Sequence, residues 1–147
     1  MIAKLIQVAY LTSAKLCHFF IHLTIKIYSK MTKVLTELVG EKLNKADSTE
    51  ISTSEICGQD QIIGLFFSAQ WSPPCRICTS KLVDFYERIR KDGKKFEIIF
   101  VSSDQDSDSF KEYFKSMPWY AMKFTDDNNE ERVSFVNQSC LFLNLSN

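Results

Sequence analysis

The chain lacks the features that define several classes of protein. Its five cysteines, at positions 17, 57, 75, 78 and 140, are too few and too scattered for a disulfide scaffold. Their odd number indicates reduced thiols in a reducing compartment. Residues 37–147 carry 13 Lys and Arg against 18 Asp and Glu. This part of the chain is therefore acidic, and nothing in it predicts nucleic-acid binding.

The chain also lacks a recognisable zinc site. His18 and His22 lie far in sequence from Cys75 and Cys78, and their spacing matches no zinc-ligand set. We interpret the two histidines as part of the polar face of a helix. The sequence predicts no metal and no cofactor.

A calcium loop is excluded by a similar argument. Asp104, Asp106 and Asp108 alternate as calcium ligands do, but no Gly and no closing Glu follow at the required places. Aspartate also accepts hydrogen bonds at the start of a helix. We therefore interpret the three aspartates as a helix N-cap cluster.

The composition is that of one packed domain. The chain has 147 residues, of which 45% are hydrophobic, and it contains 12 Phe. This length is enough for one hydrophobic core but not for two. The aromatic content indicates a folded interior rather than disorder. We interpret Cys57 and Cys140, which lie in apolar contexts, as inert core residues.

Residues 1–30 differ from the rest, because residues 1–36 contain five Lys and no acidic residue. On a helical wheel four lysines fall on one side: Lys4, Lys15, Lys26 and Lys33. The opposite side is apolar and carries Ile2, Leu5, Ile6, Phe20, Leu23, Ile25 and Tyr28. We therefore predict a basic amphipathic extension over residues 1–30. It would contact a membrane surface or direct the chain to a membrane or mitochondrion.

Three other interpretations of residues 1–30 are a membrane span, a cleaved secretory signal and an untranslated segment. A membrane span is disfavoured, because no stretch of about 20 residues there is free of Lys. A cleaved secretory signal is disfavoured too, because Lys15 interrupts the apolar region and no small-x-small site follows Ile25. The remaining alternative is that translation starts at Met31.

The main domain, residues 31–147, reads as alternating strands and helices. Apolar runs predict strands at Gln61–Ser68 and Phe96–Ser102. A helix is predicted from Ser72 to about Arg90, and a second over Asp106–Ser116. This order predicts a right-handed βαβ unit with a parallel sheet. Before it, residues 32–58 have a mixed pattern, in which Ser52–Glu55 suits the cap of a helical turn.

The junction of the first strand and helix carries the most chemistry. Ser72 is a good N-cap, and Pro73 suits the first helical position because its missing N–H would be unpaired there. Cys75 follows in the first turn. The helix dipole favours a thiolate at such a place, as in thiol–disulfide enzymes.

Three motifs in order resemble the thioredoxin superfamily, and within it the tryparedoxin and nucleoredoxin group. They are the Trp-Ser-Pro-Pro-Cys-Arg segment at 71–76, the strand and Ser-x-Asp ending at 96–104, and Met-Pro-Trp at 117–119. The resemblance covers about residues 34–136. It implies an α/β thioredoxin-like fold and a protein-disulfide oxidoreductase, cytoplasmic and also nuclear. It further implies protein thiols or disulfides as partners, with a thioredoxin- or glutathione-type reductant.

The chain departs from this family pattern in two ways. Ser72 stands where the family has its attacking cysteine, while Cys75 keeps the resolving position. Because a serine hydroxyl has no sulfur redox chemistry, we expect impaired dithiol exchange. The chain also ends before the family's Gly-Ile-Pro segment. We therefore expect a domain without its final hairpin and helix, and self-association through the exposed sheet edge.

Several functional alternatives stay open at the site. Cys75 and Cys78 form a shifted C-x-x-C pair, in which Cys75 would attack and Cys78 would resolve, unless Cys78 only faces the core. Cys75 could also act alone, for example by accepting glutathione. The resemblance assigns substrate binding to Trp71, Pro73 and Pro74. A non-catalytic module that binds proteins through this surface is the alternative to an enzyme.

A second tryptophan, Trp119, could flank the same peptide groove as Trp71. Core packing accounts for a tryptophan comparably well. The sequence leaves both interpretations open.

Overall fold

The computed structural model describes residues 25–26, 32–57, 61–125 and 134. Its elements in chain order are β1 (Ile25–Lys26), α1 (Thr32–Val39), β2 (Lys42–Asn44), β3 (Glu50–Ser52), a 3-10 turn (Thr53–Ile56), β4 (Ile62–Ser68), α2 (Pro73–Lys91), β5 (Phe96–Ser102), α3 (Ser107–Phe114) and β6 (Tyr120–Met122). The strands form one sheet in the order β1-β4-β5-β6-β2-β3. The predicted α/β class is confirmed.

The centre of the sheet is the βαβ unit that the sequence predicts. β4 and β5 run parallel with Phe66 opposite Phe100, and α2 connects them. β5 and β6 are also parallel, with α3 between them. α2 ends where the sequence indicates, because Gly93 adopts φ 70°, a left-handed conformation that suits glycine. Both predicted helices and both predicted strands are confirmed within two residues at each end.

Side chains of the central strands alternate between two cores, as the two-residue period of a strand requires. One core packs against α1 and contains Leu35, Leu38, Val39, Ile63, Leu65, Phe67, Ile99 and Val101. The other packs against α2 and α3 and contains Phe66, Tyr86, Ile98, Phe100, Phe110, Tyr113, Phe114 and Trp119. All seven residues of β5 are buried, so the prediction of a strand covered on both faces is confirmed.

The segment before β4 contains a hairpin and the predicted capped turn, but it also contains α1, a helix that the mixed pattern of residues 32–58 does not predict. β2 and β3 pair antiparallel, with Leu43 opposite Ile51. β2 also pairs with β6, which places the hairpin at one side of the sheet. At the following turn, the backbone N–H of Ser52 donates to Oε1 of Glu55 at 3.3 Å.

The helix predicted over residues 1–30 is wrong at Ile25 and Lys26. These two residues form β1, which pairs antiparallel with Ile63 and Ile62 of β4. The outer edge of β4 offers unpaired backbone N–H and C=O groups, and an added strand satisfies them. This tertiary partner outweighs the local helical pattern.

Other predictions fall outside the described residues. Residues 1–24, the apolar stretch 140–145, Cys140 and the expected loss of the final hairpin and helix are among them. No helix within the described ranges is long and apolar enough to cross a membrane.

Candidate functional site

The loop between β4 and α2 positions the candidate site at the C-terminal end of the central strands. Ser68 ends β4, and α2 begins at Pro73 with Ser72 as its N-cap. The N-cap position of Ser72 is confirmed, but its side chain makes no capping hydrogen bond. A capping oxygen accepts from the second or third helical N–H, and Pro74 at the second position has none.

Hydrogen bonds tie this loop to the residues after β5. The backbone N–H of Gln70 donates to Oδ1 of Asp104 at 2.7 Å, and Nε1 of Trp71 donates to the carbonyl of Ser103 at 3.2 Å. The N–H of Ser103 in turn donates to the carbonyl of Ser68 at 2.9 Å. Because the two loops hold each other, the orientation of Trp71 depends on residues more than 30 positions away in the chain.

Asp104 is the buried carboxylate at the centre of these contacts. Burial raises the pKa of its carboxyl, while the hydrogen bonds from the Ser102 hydroxyl at 2.8 Å and from the Gln70 N–H act in the opposite direction. On the outer side of the same loop, the Arg76 guanidinium donates to the Gln70 carbonyl. The loop before α2 is therefore held on two sides.

The prediction that Asp104 belongs to a helix N-cap cluster is wrong. Asp106 is the N-cap of α3, with its Oδ1 accepting from the N–H of Ser109 at 2.8 Å, and Asp108 lies exposed in the first turn. Asp104 instead turns inward beneath the Trp71 loop. The sequence cannot separate these roles, because one partner of Asp104, the Gln70 N–H, comes from a distant segment.

The two cysteines of α2 differ in burial. Cys75, in the first turn, is 7% exposed, and Cys78, one turn further, is half-buried. Both are thiols rather than a disulfide. Cys75 lies three residues after Ser72, on the same side of the helix start. The structure thus places Ser72 and Cys75 at the same helix start. Of the two thiols on α2, Cys75 is more buried than Cys78.

An apolar surface surrounds this helix start. Trp71 is 60% exposed, Ile77 is 61% exposed, and Pro73 and Pro74 between them are also exposed. The sequence predicts Trp71 and the two prolines at this surface but does not predict Ile77. Its position four residues after Pro73, on one helix face, was the signal available.

Trp119 packs in the core and does not share an exposed surface with Trp71. It is 2% exposed, and its ring packs edge-on against Tyr86 and Phe66 at centroid distances of 5.5 Å and 6.0 Å. Of the two interpretations that the sequence left open, core packing holds for Trp119. The exposed position belongs to Trp71.

Cys57 matches its interpretation only in part. It is half-buried, packs against the α1 core, and donates through Sγ to the Thr53 carbonyl at 3.3 Å. Burial raises the pKa of its thiol, which makes it a poor nucleophile. Across the described ranges, no three His, Cys, Asp or Glu side chains converge as a metal site.

A family model described as Thioredoxin-like matches residues 59–141, more than half of the chain. This match spans β4, α2, the Trp71 loop, β5 and α3. The chain belongs to the thioredoxin-like family.

Curated relatives specify the branch of this family. Nucleoredoxin from Bos taurus is 41% identical over 102 residues, which are 69% of this chain and 23% of that protein. The chain therefore spans about a quarter of the length of the nucleoredoxins it matches. The predicted nucleoredoxin-like identity of this thioredoxin-like chain is confirmed.

Solved structures give the same result for the fold. Tryparedoxin I from Crithidia fasciculata superposes with a TM-score of 0.61 at 33% identity, covering 74% of this chain and 69% of that one. Tryparedoxin II in complex with glutathionylspermidine superposes at 0.56 with 28% identity, covering 67% of this chain and 65% of that one. The expected thioredoxin-like fold is confirmed.

Proposed function

We propose that this thioredoxin-like chain is a thiol–disulfide exchange protein of the nucleoredoxin and tryparedoxin type with a weakened or absent dithiol cycle. One observation carries the proposal. The loop after β4 brings Ser72 to the N-cap of α2 and Cys75 to its first turn, so a hydroxyl and a thiol stand together at a helix start. By the family resemblance these are the attacking and resolving positions.

The chemistry of the cycle explains why Ser72 weakens it. An attacking thiolate displaces one sulfur of the client disulfide, which leaves as a thiolate, and forms a mixed disulfide. A second thiol then attacks that mixed disulfide and releases the reduced client. Ser72 can take no part, because its hydroxyl is not ionised at neutral pH. Cys75 alone can form a mixed disulfide but cannot resolve it.

A single thiol still permits a narrower reaction with small thiols. The related tryparedoxin II has a solved structure in complex with glutathionylspermidine. We propose that protein thiols or disulfides, and a small thiol of the glutathione class, are the partners of Cys75 in this chain. A thiol from such a molecule could replace the missing resolving group by attacking the mixed disulfide from solution.

A shifted pair is the alternative route to turnover. Cys78 lies one turn after Cys75 on α2, and both are thiols. In this route Cys75 attacks and Cys78 resolves. This route and the single-thiol reaction both begin with attack by Cys75, and its low exposure slows that first step in each.

A second candidate function is protein binding without catalysis. The exposed side chains of Trp71 and Ile77 flank the helix start on a surface that needs no sulfur chemistry. A client held there would be bound but not reduced.

The test is insulin-disulfide reduction by the full chain and by the Ser72→Cys variant. We expect little turnover by the unmodified chain and clear turnover by the variant, with Ser72→Ala as the control that adds no sulfur. If the unmodified chain is active and Cys78→Ser abolishes that activity, the shifted pair performs the reaction. If Ser72→Cys stays inactive while folded, the thiol-exchange proposal is wrong and the binding module is favoured.

A further inference from the structure

Beneath Cys75 lies a chain of three buried hydroxyl groups from three different elements. Ser68 Oγ, at the end of β4, lies 2.8 Å from the Tyr113 hydroxyl of α3. The Tyr113 hydroxyl lies 2.5 Å from Oγ1 of Thr79 on α2. Thr79 Oγ1 lies 3.0 Å from the Cys75 carbonyl. All three side chains are at least nine-tenths buried.

The chemistry of the groups fixes the direction of these hydrogen bonds. A carbonyl only accepts, so Thr79 donates its one proton to Cys75. The Tyr113 hydroxyl must then donate to Thr79, and the Ser68 hydroxyl must donate to Tyr113. The protons therefore all point along one line, from the end of β4 to the backbone of Cys75.

This chain of hydroxyl groups ends at Cys75, on which the proposed thiol chemistry depends. The first turn of α2 begins with two prolines, which supply no N–H to the preceding loop. The hydroxyl chain gives that turn an anchor to α3 and β4 instead. The Tyr113 ring itself is fixed against Phe100, edge-on at a centroid distance of 5.7 Å.

Tyr113 is also electrostatically close to the thiol. Burial is the main cause that raises the pKa of its phenol, and the charges of Cys75 and Asp104 raise it further. The phenol therefore stays protonated at neutral pH and keeps its donor role.

We propose that Tyr113 is a positioning residue for the Cys75 thiol and acts through Thr79. It holds the first turn of α2 closed, so that Cys75 stays shielded until that turn opens locally. The importance of this role rests on the proposed thiol chemistry, but its test measures the thiol directly. The test therefore stands whether or not the chain reduces a client.

The experiment is iodoacetamide labelling of the folded full chain, with the rate at each cysteine read by peptide mass spectrometry. Tyr113→Phe removes only the hydroxyl. It breaks two buried hydrogen bonds, to Ser68 and to Thr79. Loss of the bond to Thr79, which lies on α2, should raise the population of the open turn, and the labelling rate of Cys75, by about two- to tenfold. The half-buried Cys57, in the other core, should label at an unchanged rate.

Tyr86→Phe is the matched control. Tyr86 is 6% exposed, as Tyr113 is, and its hydroxyl also makes a buried hydrogen bond, to Glu97 at 2.8 Å. It lies on α2 more than two turns beyond Cys75. We expect a similar loss of stability from this variant and no change at Cys75. Equal acceleration of Cys75 by both variants would mean that labelling follows global unfolding, and would overturn the proposal.

A double-mutant cycle tests the route through Thr79. Thr79→Val keeps the shape of the side chain and removes its hydroxyl. If the chain acts as one unit, Tyr113→Phe together with Thr79→Val should label Cys75 no faster than the faster single variant. The proposed role of Tyr113 would be overturned if the two substitutions multiplied each other's effect on the labelling rate of Cys75. It would also be overturned if Tyr113→Phe left that rate unchanged.

Discussion

The backbone N–H of Gln70 donates to the buried carboxylate of Asp104 at 2.7 Å, although 34 residues separate them in the chain. This contact joins the loop that leads into α2 to the loop that leaves β5. Trp71 follows Gln70 directly and donates to the neighbouring Ser103 carbonyl. Asp104 thus helps to hold the loop that carries the exposed tryptophan.

Replacing Asp104 should loosen the Trp71 loop. Asp104→Ala removes the acceptor of two hydrogen bonds, so we expect a loss of about 2 kcal/mol in the free energy of unfolding. Acrylamide should then quench Trp71 more strongly, while the buried Trp119 gives a constant background. Asp106→Ala, which removes the α3 cap at about 1 kcal/mol, is the control. Unchanged quenching in Asp104→Ala would contradict the role of this contact.

The stability of the chain should carry a pH dependence from Glu97. This residue is 4% exposed on β5, accepts from the Tyr86 hydroxyl, and has its Oε2 3.4 Å from Arg90 Nη1. Burial raises its pKa above the ordinary 4.5, against opposing effects of Ile98 N–H, Tyr86 and Arg90. At a pH between the unfolded and the folded pKa of Glu97, the folded state therefore keeps a proton that the unfolded chain has released. The contribution of Glu97 to stability is greatest below 4.5 and falls as pH rises through its folded pKa.

Glu97→Gln isolates this effect, because glutamine cannot ionise. The difference in unfolding free energy, wild type minus Glu97→Gln, should fall as pH is raised from about 4 to about 8 in urea titrations. The raised pKa of Asp104 is present in both proteins and cancels. Glu87→Gln, at an exposed position on α2, serves as the control. A difference that stays flat or rises with pH would show that burial does not dominate at Glu97.

The exposed side chain of Ile77 should contribute to client binding in an active variant. In the Ser72→Cys background, we expect Ile77→Ala to raise KM for insulin roughly tenfold, the effect of losing about 1.4 kcal/mol of apolar contact. A small soluble disulfide, which is too short to reach Ile77, should be reduced at the same rate. Lys81→Ala, further along the exposed face of α2, is the control. Equal loss with both substrates would place Ile77 in folding rather than in recognition.

The basic segment 1–30 should redirect a reporter protein. Its charge is carried by Lys alone, and each Lys near an anionic lipid surface contributes about 1 kcal/mol of attraction. We expect a fluorescent protein fused to residues 1–30 to reach a membrane or mitochondrion, and the same reporter on residues 31–147 to stay cytosolic. Lys15→Glu in the fusion should reduce the effect. Diffuse fluorescence from both fusions would reject the targeting hypothesis and favour a start at Met31.

Local signals were enough for the central elements of the fold. The apolar runs at β4 and β5, the helix stop at Gly93 and the cap at Asp106 each depend on neighbours within a few residues. A strand covered on both faces, such as β5, shows this directly in its composition. These features follow from backbone sterics and side-chain periodicity, which the sequence displays.

Strand pairing at the edge did not follow from the sequence. Ile25 and Lys26 fit an amphipathic helix locally, yet they pair with Ile63 and Ile62 of β4. Ile25 and Lys26 form a strand because they pair with backbone groups of β4, which is distant in the chain. No pattern within residues 1–30 reports their presence.

The residue types of the site can be read directly from the chain: a serine, two prolines and a thiol at the start of a helix, after an apolar strand. How these residues are held depends on contacts between distant segments. The tertiary structure turned Asp104 inward beneath Trp71, separated the exposed Trp71 from the buried Trp119, and lined up Ser68, Tyr113 and Thr79 below Cys75. The reason is physical. A hydroxyl or carboxylate acquires its role from the burial and the partners it meets, and those partners come from segments that only folding brings within 3 Å.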